Sequence, residues 1–175
     1  MVKNKKAIFF DRDGTIIRSR ISKNKKPLAI KELKECKIYP SAKKIFNKLK
    51  KDYLIFLITN QPDVGRGINT KKNVTEINNL LKKKLPIKKI YTCYCEDDKC
   101  KFRKPNSGML KEASKKYKIN LHESFVVGDR WKDIEAGNQV NCQTIFIDKK
   151  YSEKLKSNPN YSIKNLSEIK KIFKF

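Results

Sequence analysis

Five short apolar runs recur along the chain at intervals that a helix can fill: Ala7–Phe10, Tyr53–Thr59, Lys89–Cys93, Ser124–Val127 and Thr144–Ile147. No other feature narrows the possible folds as much. The segments between them place apolar residues at helical spacing: Ser41–Lys50 with Ile45, Phe46 and Leu49 inward, Thr70–Lys84 with Val74, Ile77 and Leu81, then Ser107–Lys118 and Trp131–Gln139. Strands alternating with helices of this length need right-handed crossovers, so the strands run parallel and helices cover both faces of the sheet. The predicted fold class is therefore α/β, a doubly wound parallel sheet in one domain spanning residues 1–175. At that length the chain buries roughly two-thirds of the surface its unfolded form exposes, and needs no metal or disulfide merely to fold. No repeat, Gly/Ser linker or low-complexity block divides it.

In such sheets ligands bind beyond the carboxyl ends of the strands, which makes those loops the informative part. The first strand runs into "FDRDGT", carrying Asp11 and Asp13; the second ends in Thr59-Asn60 and the fourth in Gly128-Asp129, while Arg103-Lys104-Pro105 precedes a helix start. Asp and Gly are common turn residues, and taken alone Asp11 and Asp13 read as a turn. Four separate segments converging on one rim are harder to explain by turns.

Phosphoryl transfer asks for a nucleophile, a proton donor for the leaving oxygen, cations and positioned hydrogen-bond donors. Asp11 can attack phosphorus if its charge is offset, and a Mg²⁺ ion shared with Asp129 would do so. Asp13 points the other way along the turn and can reach the leaving oxygen, first as general acid and then as base for water. Thr59 offers a hydroxyl and a backbone N–H to a phosphate oxygen, and Lys104 a compact positive charge.

Composition bounds the setting. The longest strongly apolar run, Tyr53–Ile58, falls far short of the ~20 residues that span a bilayer, and "MVKNKKAIFFD" holds too short an apolar segment for a secretory signal. The reading is a soluble cytoplasmic protein without a membrane partner. Five cysteines, an odd number, suit reduced thiols better than a disulfide framework. A net charge of +25 invites a nucleic-acid partner through phosphate contacts. Yet the charge is nearly all lysine, spread along the chain, and solvated helix faces are the blander account. Anionic small substrates are attracted either way.

"DRDGT", "LITNQPDVGRG", "RKPNSGML" and "VVGDRWKDIEAG" together resemble the haloacid dehalogenase superfamily of aspartyl-phosphate phosphatases. Within it they are most similar to the small capless branch of heptose bisphosphate 7-phosphatases and histidinol-phosphate phosphatase domains. The similarity runs in order from about Ala7 to Asp148. It implies a Rossmann-like core with no large cap domain, a chain working as a monomer, Asp11 as nucleophile, Asp13 as acid/base and as a Mg²⁺ ligand through its main-chain carbonyl, and Asp129 as a further Mg²⁺ ligand. Thr59 and Lys104 would hold the transferring phosphoryl group, Arg103 would recognise the rest of the substrate, and Asn60, Gln61 and Arg130 would line the site.

The loop "CYCEDDKCKFRKP" over residues 93–102 and just beyond departs from the relatives' pattern. Relatives carry Cys-x-His and then Cys-x-Cys before Arg-Lys-Pro, and these four residues hold a structural Zn²⁺. Here Cys93, Cys95 and Cys100 supply three ligands, but Phe102 stands where the fourth belongs and cannot coordinate. Three thiolates with water, Asp97 or Asp98 would still hold zinc; alternatively the site is lost and Phe102 anchors the loop by packing. Asp133 reads as structural or as support for the metal site, His122 has no assigned role, Trp131 packs at a helix start, and Cys36 and Cys142 are thiols without function.

The basic connection between Thr15 and Pro40 is too short for a cap domain; its Arg18, Arg20, Lys23, Lys25 and Lys26 either meet a second phosphate or are simply solvated. A sugar bisphosphate is therefore the leading substrate. Histidinol phosphate and a 3′-phosphorylated polynucleotide are the alternatives, the latter because that family shares the "TNQ…GRG" loop. A non-catalytic anion- or RNA-binding module is the reading from another class, and it has no need of both Asp11 and Asp13.

Overall fold

A computed structural model describes residues 5–175. In chain order the elements are β1 (Ala7–Phe10), a hairpin of β2 (Arg20–Ile21) and β3 (Pro27–Leu28), α1 (Ala42–Leu49), β4 (Leu54–Asn60), α2 (Pro62–Gly65), α3 (Lys71–Lys84), β5 (Lys89–Cys93), α4 (Gly108–Tyr117), β6 (Phe125–Gly128), α5 (Trp131–Asn138), β7 (Gln143–Ile147), β8 (Tyr161–Ile163) and α6 (Lys170–Phe173). Six strands form one sheet in the order β5-β4-β1-β6-β7-β8, and every neighbouring pair is parallel. This is the doubly wound arrangement that the alternating pattern predicts. The N-terminal stretch read as too short for a signal begins in residues 1–4, outside the described residues. No helix among the described residues is long and apolar enough to cross a membrane.

β1 lies at the centre, buried on both faces, because all four of its residues are apolar. Successive side chains of a strand point to opposite faces. Ile8 and Phe10 accordingly enter one core with Ile45, Phe46 and Leu49 of α1 and Ile77 and Leu81 of α3. Ala7 and Phe9 enter the other with Met109, Leu110 and Ala113 of α4. Phe10 meets Phe46 at 4.7 Å between ring centroids and Phe9 meets Phe56 at 5.2 Å, and burying one such ring contributes about 2–3 kcal/mol. α3 starts where Thr70 Oγ1 accepts the Asn73 N–H at 3.1 Å.

Strands β2, β3 and β8 and the single-turn helices α2 and α6 have no counterpart in the sequence prediction. β8 is a three-residue edge strand with only Ile163 buried, so it carries too little apolar pattern to stand out. The β2–β3 hairpin is read from sequence as a basic connection because both strands are short and largely exposed. Its turn is closed by the Ser22 N–H on Lys26 O at 2.9 Å, with Lys25 at φ 53°. Ser124, read as the first residue of its strand, instead precedes β6. Its hydroxyl accepts the Ala7 N–H at 3.0 Å and donates to Asn120 O at 2.6 Å, tying the starts of β1 and β6 together.

Candidate active site

The carboxyl ends of β1, β4 and β6 open onto one rim. Past β1, the Asp11 N–H extends the ladder to Val127 O at 2.8 Å. The chain then turns back at once: Gly14 donates to Ile17 O at 2.7 Å, and the N–H groups of Ile16 and Ile17 reach Arg12 O at 3.0 and 3.1 Å. Gly14 has φ 87°, and a Cβ there would sit 1.9 Å from Asp129 Oδ2, so both conformation and space demand glycine.

Lys104 Nζ is the hub. It donates to Asp11 Oδ1 and Asp133 Oδ1, each at 2.6 Å, and to Ile58 O at 2.9 Å. All three donors of the ammonium are thereby used, and the two carboxylates hold the Lys104 pKa above its ordinary value despite burial. Asn60 fixes the backbone beneath it, since its amide donates to Lys104 O at 2.9 Å and its carbonyl accepts the Lys104 N–H at 3.0 Å. With both polar ends engaged, Asn60 positions Lys104, although it also lines the pocket.

Asp11, Asp129 and Asp133 are buried, and each offers a carboxylate oxygen within 4.8 Å of the others'. Burial pushes the Asp11 pKa up to about 7, with Lys104 opposing it and Asp133 and Asp13 adding to it. Asp129 is raised well above the usual carboxylate range, first by burial and then by Asp11 and Asp133. Three buried carboxylates against one ammonium leave negative charge unbalanced. An all-oxygen set of this kind suits a hard divalent cation such as Mg²⁺.

Asp133, taken from sequence as structural or supporting, sits in the triad itself, while its Oδ2 accepts the Arg130 N–H at 3.1 Å at the start of α5. Its spacing of four from Asp129, across a helix start, is the signal that locates it.

Asp13 keeps its carboxylate outside the triad. Its Oδ2 accepts from Arg12 Nε and Gln61 Nε2, both at 2.9 Å. Arg12 is fully buried, donates onward to Asn78 Oδ1 at 2.9 Å, and went unassigned in the sequence despite standing between the two aspartates. Gln61 is buried and spans Asp13 and Thr59 Oγ1 (2.8 Å), so it links two site residues and does not line the pocket as the resemblance implied.

Asp11, Asp13, Thr59, Lys104 and Asp133 line a cavity of about 70 Å³, roofed by Pro27, Leu28 and Ala29 of the hairpin. A neighbouring cleft of about 270 Å³ shares that roof and is rimmed by Arg66, Arg103, Arg130 and Lys132. Arg103 is held by Asp98 Oδ1 at 2.8 Å and Cys95 O at 3.1 Å, and Arg130 pairs with Glu153. Arg18, Arg20, Lys23, Lys25 and Lys26 line neither space; they are exposed, and Arg20 lies 3.6 Å from Glu35. The hairpin turns these long side chains to solvent, away from both spaces. A wider cleft of about 860 Å³, lined by Lys48, Lys51, Tyr53 and Phe173 among others, lies at the opposite end of the strands, away from these groups.

In the cysteine loop the sulfurs of Cys93, Cys95 and Cys100 lie within 4.8 Å of one another, with Cys93 and Cys100 3.8 Å apart. Burial pushes the Cys93 thiol up to about 12. Phe102 packs against the second core. Asp97 accepts the Lys99 N–H, and Asp98 is taken by Arg103 and Lys132. Among the described residues, three ligands assemble here and not the closed tetrahedral set of a structural zinc. Trp131 lies under the Lys156 ammonium at 3.9 Å, and His122 is exposed.

A buried carboxylate at the end of a central parallel strand, flanked by an ammonium and an acidic pair ready for a cation, is what phosphoryl transfer to that carboxylate requires. The class these features define is the haloacid dehalogenase-type phosphatase. Known proteins agree. The sequence profile of the family described as polynucleotide kinase 3 phosphatase matches residues 6–161, and the chain belongs to this family. The chain is 29% identical to D-glycero-beta-D-manno-heptose-1,7-bisphosphate 7-phosphatase of Pasteurella multocida, with 97% of each chain covered. It is 30% identical to the corresponding alpha-anomer phosphatase of Campylobacter jejuni, covering 97% of this chain and 96% of that one. A probable heptose bisphosphate phosphatase of Thermoplasma volcanium is 34% identical over 71% of this chain and 86% of its own. Among solved structures, the D,D-heptose 1,7-bisphosphate phosphatase of B. bronchiseptica, complexed with magnesium and phosphate, superposes with a TM-score of 0.80 at 23% identity, covering 96% of this chain and 97% of that one. A putative HAD-like phosphatase of Mesorhizobium loti gives 0.74 at 22% identity, covering 98% and 85%. Both show the same fold.

Proposed function

We propose that the protein is a Mg²⁺-dependent phosphomonoester hydrolase that works through an aspartyl phosphate on Asp11 and acts on a sugar bisphosphate, as a D-glycero-D-manno-heptose 1,7-bisphosphate 7-phosphatase. The observation that carries this reading is Asp11 in the cavity with Lys104 on its Oδ1 and the unbalanced carboxylates Asp129 and Asp133 beside it. Lys104 occupies Oδ1 and leaves Oδ2 to attack phosphorus. The ammonium and the Thr59 hydroxyl then take up charge on the equatorial oxygens. Asp13, held by Arg12 and Gln61, protonates the leaving oxygen and later draws a proton from the water that cleaves the acyl phosphate. When bound, Mg²⁺ offsets the charge of nucleophile and phosphate; Asp11, Asp129 and the Asp13 main-chain carbonyl would hold it, with Asp133 orienting the set. Pro27, Leu28 and Ala29 cover one side of the cavity.

The neighbouring cleft suits the rest of the substrate. One wall is apolar, from the hairpin, and the other presents Arg66, Arg103, Arg130 and Lys132 to a second phosphate. Curated relatives that act on heptose bisphosphates support this choice, and their names divide between the two anomers. The working unit in this reading is a monomer, as the resemblance implies. The five cysteines are free, which suits a reducing cytoplasm. Zinc is assigned no step.

The test is Mg²⁺-dependent phosphate release from both anomers of the heptose bisphosphate, histidinol phosphate and 3′-phosphorylated oligonucleotides. The highest kcat/KM should fall on a heptose bisphosphate. A preference for the oligonucleotide would move the substrate to the polynucleotide branch, and no release from any of them would leave the binding-module reading.

A further inference from the structure

We propose that Tyr151, on the loop after β7, is a positioning residue that orients Asp129 for the metal and ties that orientation to the hairpin roofing the cavity; this rests on the Mg²⁺ reading above. Tyr151 Oη donates to Asp129 Oδ2 at 2.7 Å. Among the described residues the only other side chain on that carboxylate is the Thr15 hydroxyl, at a long 3.4 Å from Oδ1. The Tyr151 hydroxyl also lies 3.1 Å from Ser19 Oγ. One hydroxyl can donate to the carboxylate and accept from the serine together, so the chain Ser19–Tyr151–Asp129 is satisfied throughout. Ser19 lines the cavity and immediately precedes β2.

Two neighbours strengthen the strap. The Ser152 N–H donates to Lys25 O, in the hairpin turn, at 3.2 Å, and Glu153 pairs with Arg130, the residue after Asp129. Three successive residues thus hold the roof on one side and the Asp129-Arg130 corner on the other. A carboxylate that gives one oxygen to a cation needs the other fixed, and partners of this kind are worth 10–100-fold in metal affinity. Opening of the roof would pull on Ser19 and loosen Asp129.

The experiment compares the full-length protein with Tyr151→Phe, which keeps the ring and removes the hydroxyl, and with Glu153→Gln, which loosens the strap while leaving that hydroxyl in place. Mg²⁺ binding is read by calorimetry, and exposure of the hairpin by the rate of trypsin cleavage after Lys23 and Lys25. Tyr151→Phe should weaken Mg²⁺ about tenfold and speed hairpin cleavage, with Glu153→Gln leaving Mg²⁺ affinity near that of the wild type. Wild-type protein that takes up no Mg²⁺ would overturn the metal reading and this one with it. Wild-type binding with an unchanged constant in Tyr151→Phe would overturn this inference alone.

Discussion

Lys104 and Asp11 stand 93 residues apart in sequence and 2.6 Å apart in the fold, with solvent nearly excluded from both. The same ammonium serves Asp133, so a single cation balances two buried carboxylates while a third, Asp129, stands by. This arrangement prepares the rim for a divalent ion and for phosphate. It also makes the site costly to disturb, since removing one partner of a buried pair strands the other.

Lys104→Met should therefore destabilise the metal-free protein by about 3–5 kcal/mol, and saturating Mg²⁺ should recover part of that loss. Urea denaturation with EDTA and with Mg²⁺ measures both. A variant as stable as the wild type in EDTA would contradict the charge-balancing role.

Asp11→Asn keeps the shape of the side chain and removes the proposed nucleophile. Turnover should fall by about four orders of magnitude or more while circular dichroism stays unchanged. Acid-quenched wild type should retain phosphate from labelled substrate, and the variant should retain none.

The pH dependence follows from burial. The Asp11 pKa rises from 3.8 to about 7, so between these values the folded chain binds more protons than the unfolded one. Stability of the metal-free protein should then fall as pH rises through about 4 to 7, and Asp129 acts in the same sense. Mg²⁺ takes only the ionised carboxylates, so its stabilising effect should grow over the same window. Melting temperatures from pH 4.5 to 8 in EDTA and in Mg²⁺ test this; a flat EDTA profile would count against it.

Gly14→Ala places a methyl group 1.9 Å from Asp129 Oδ2 and 2.9 Å from the Tyr151 hydroxyl, on a backbone at φ 87°. Activity should drop by at least about a hundredfold, with a stability loss of about 1–3 kcal/mol from the strained backbone. Mg²⁺ affinity measured alongside should fall, because the methyl group displaces Asp129 directly.

The fold was legible wherever one element carried its own pattern. Ala7–Phe10 is apolar throughout because it is buried on both faces, and Val74, Ile77 and Leu81 mark a helix because one side of it is buried. β8 and the hairpin bury too little to leave such a mark. Asp11, Asp13 and Asp129 were legible because each ends a strand pattern or follows one closely. Asn60 and Gln61 were found, but their work was not: one clasps the Lys104 backbone and the other spans Asp13 and Thr59.

Local periodicity and loop chemistry, both written within a few residues, sufficed for a parallel sheet with an acidic rim, and the resemblance of the four motifs supplied the class of reaction run there. Which carboxylates gather round Lys104, that Phe102 packs against the core, and that Tyr151 reaches Asp129 were decided by tertiary packing. Those contacts join segments far apart in the chain, and their distances depend on how the sheet, the helices and the loops settle together.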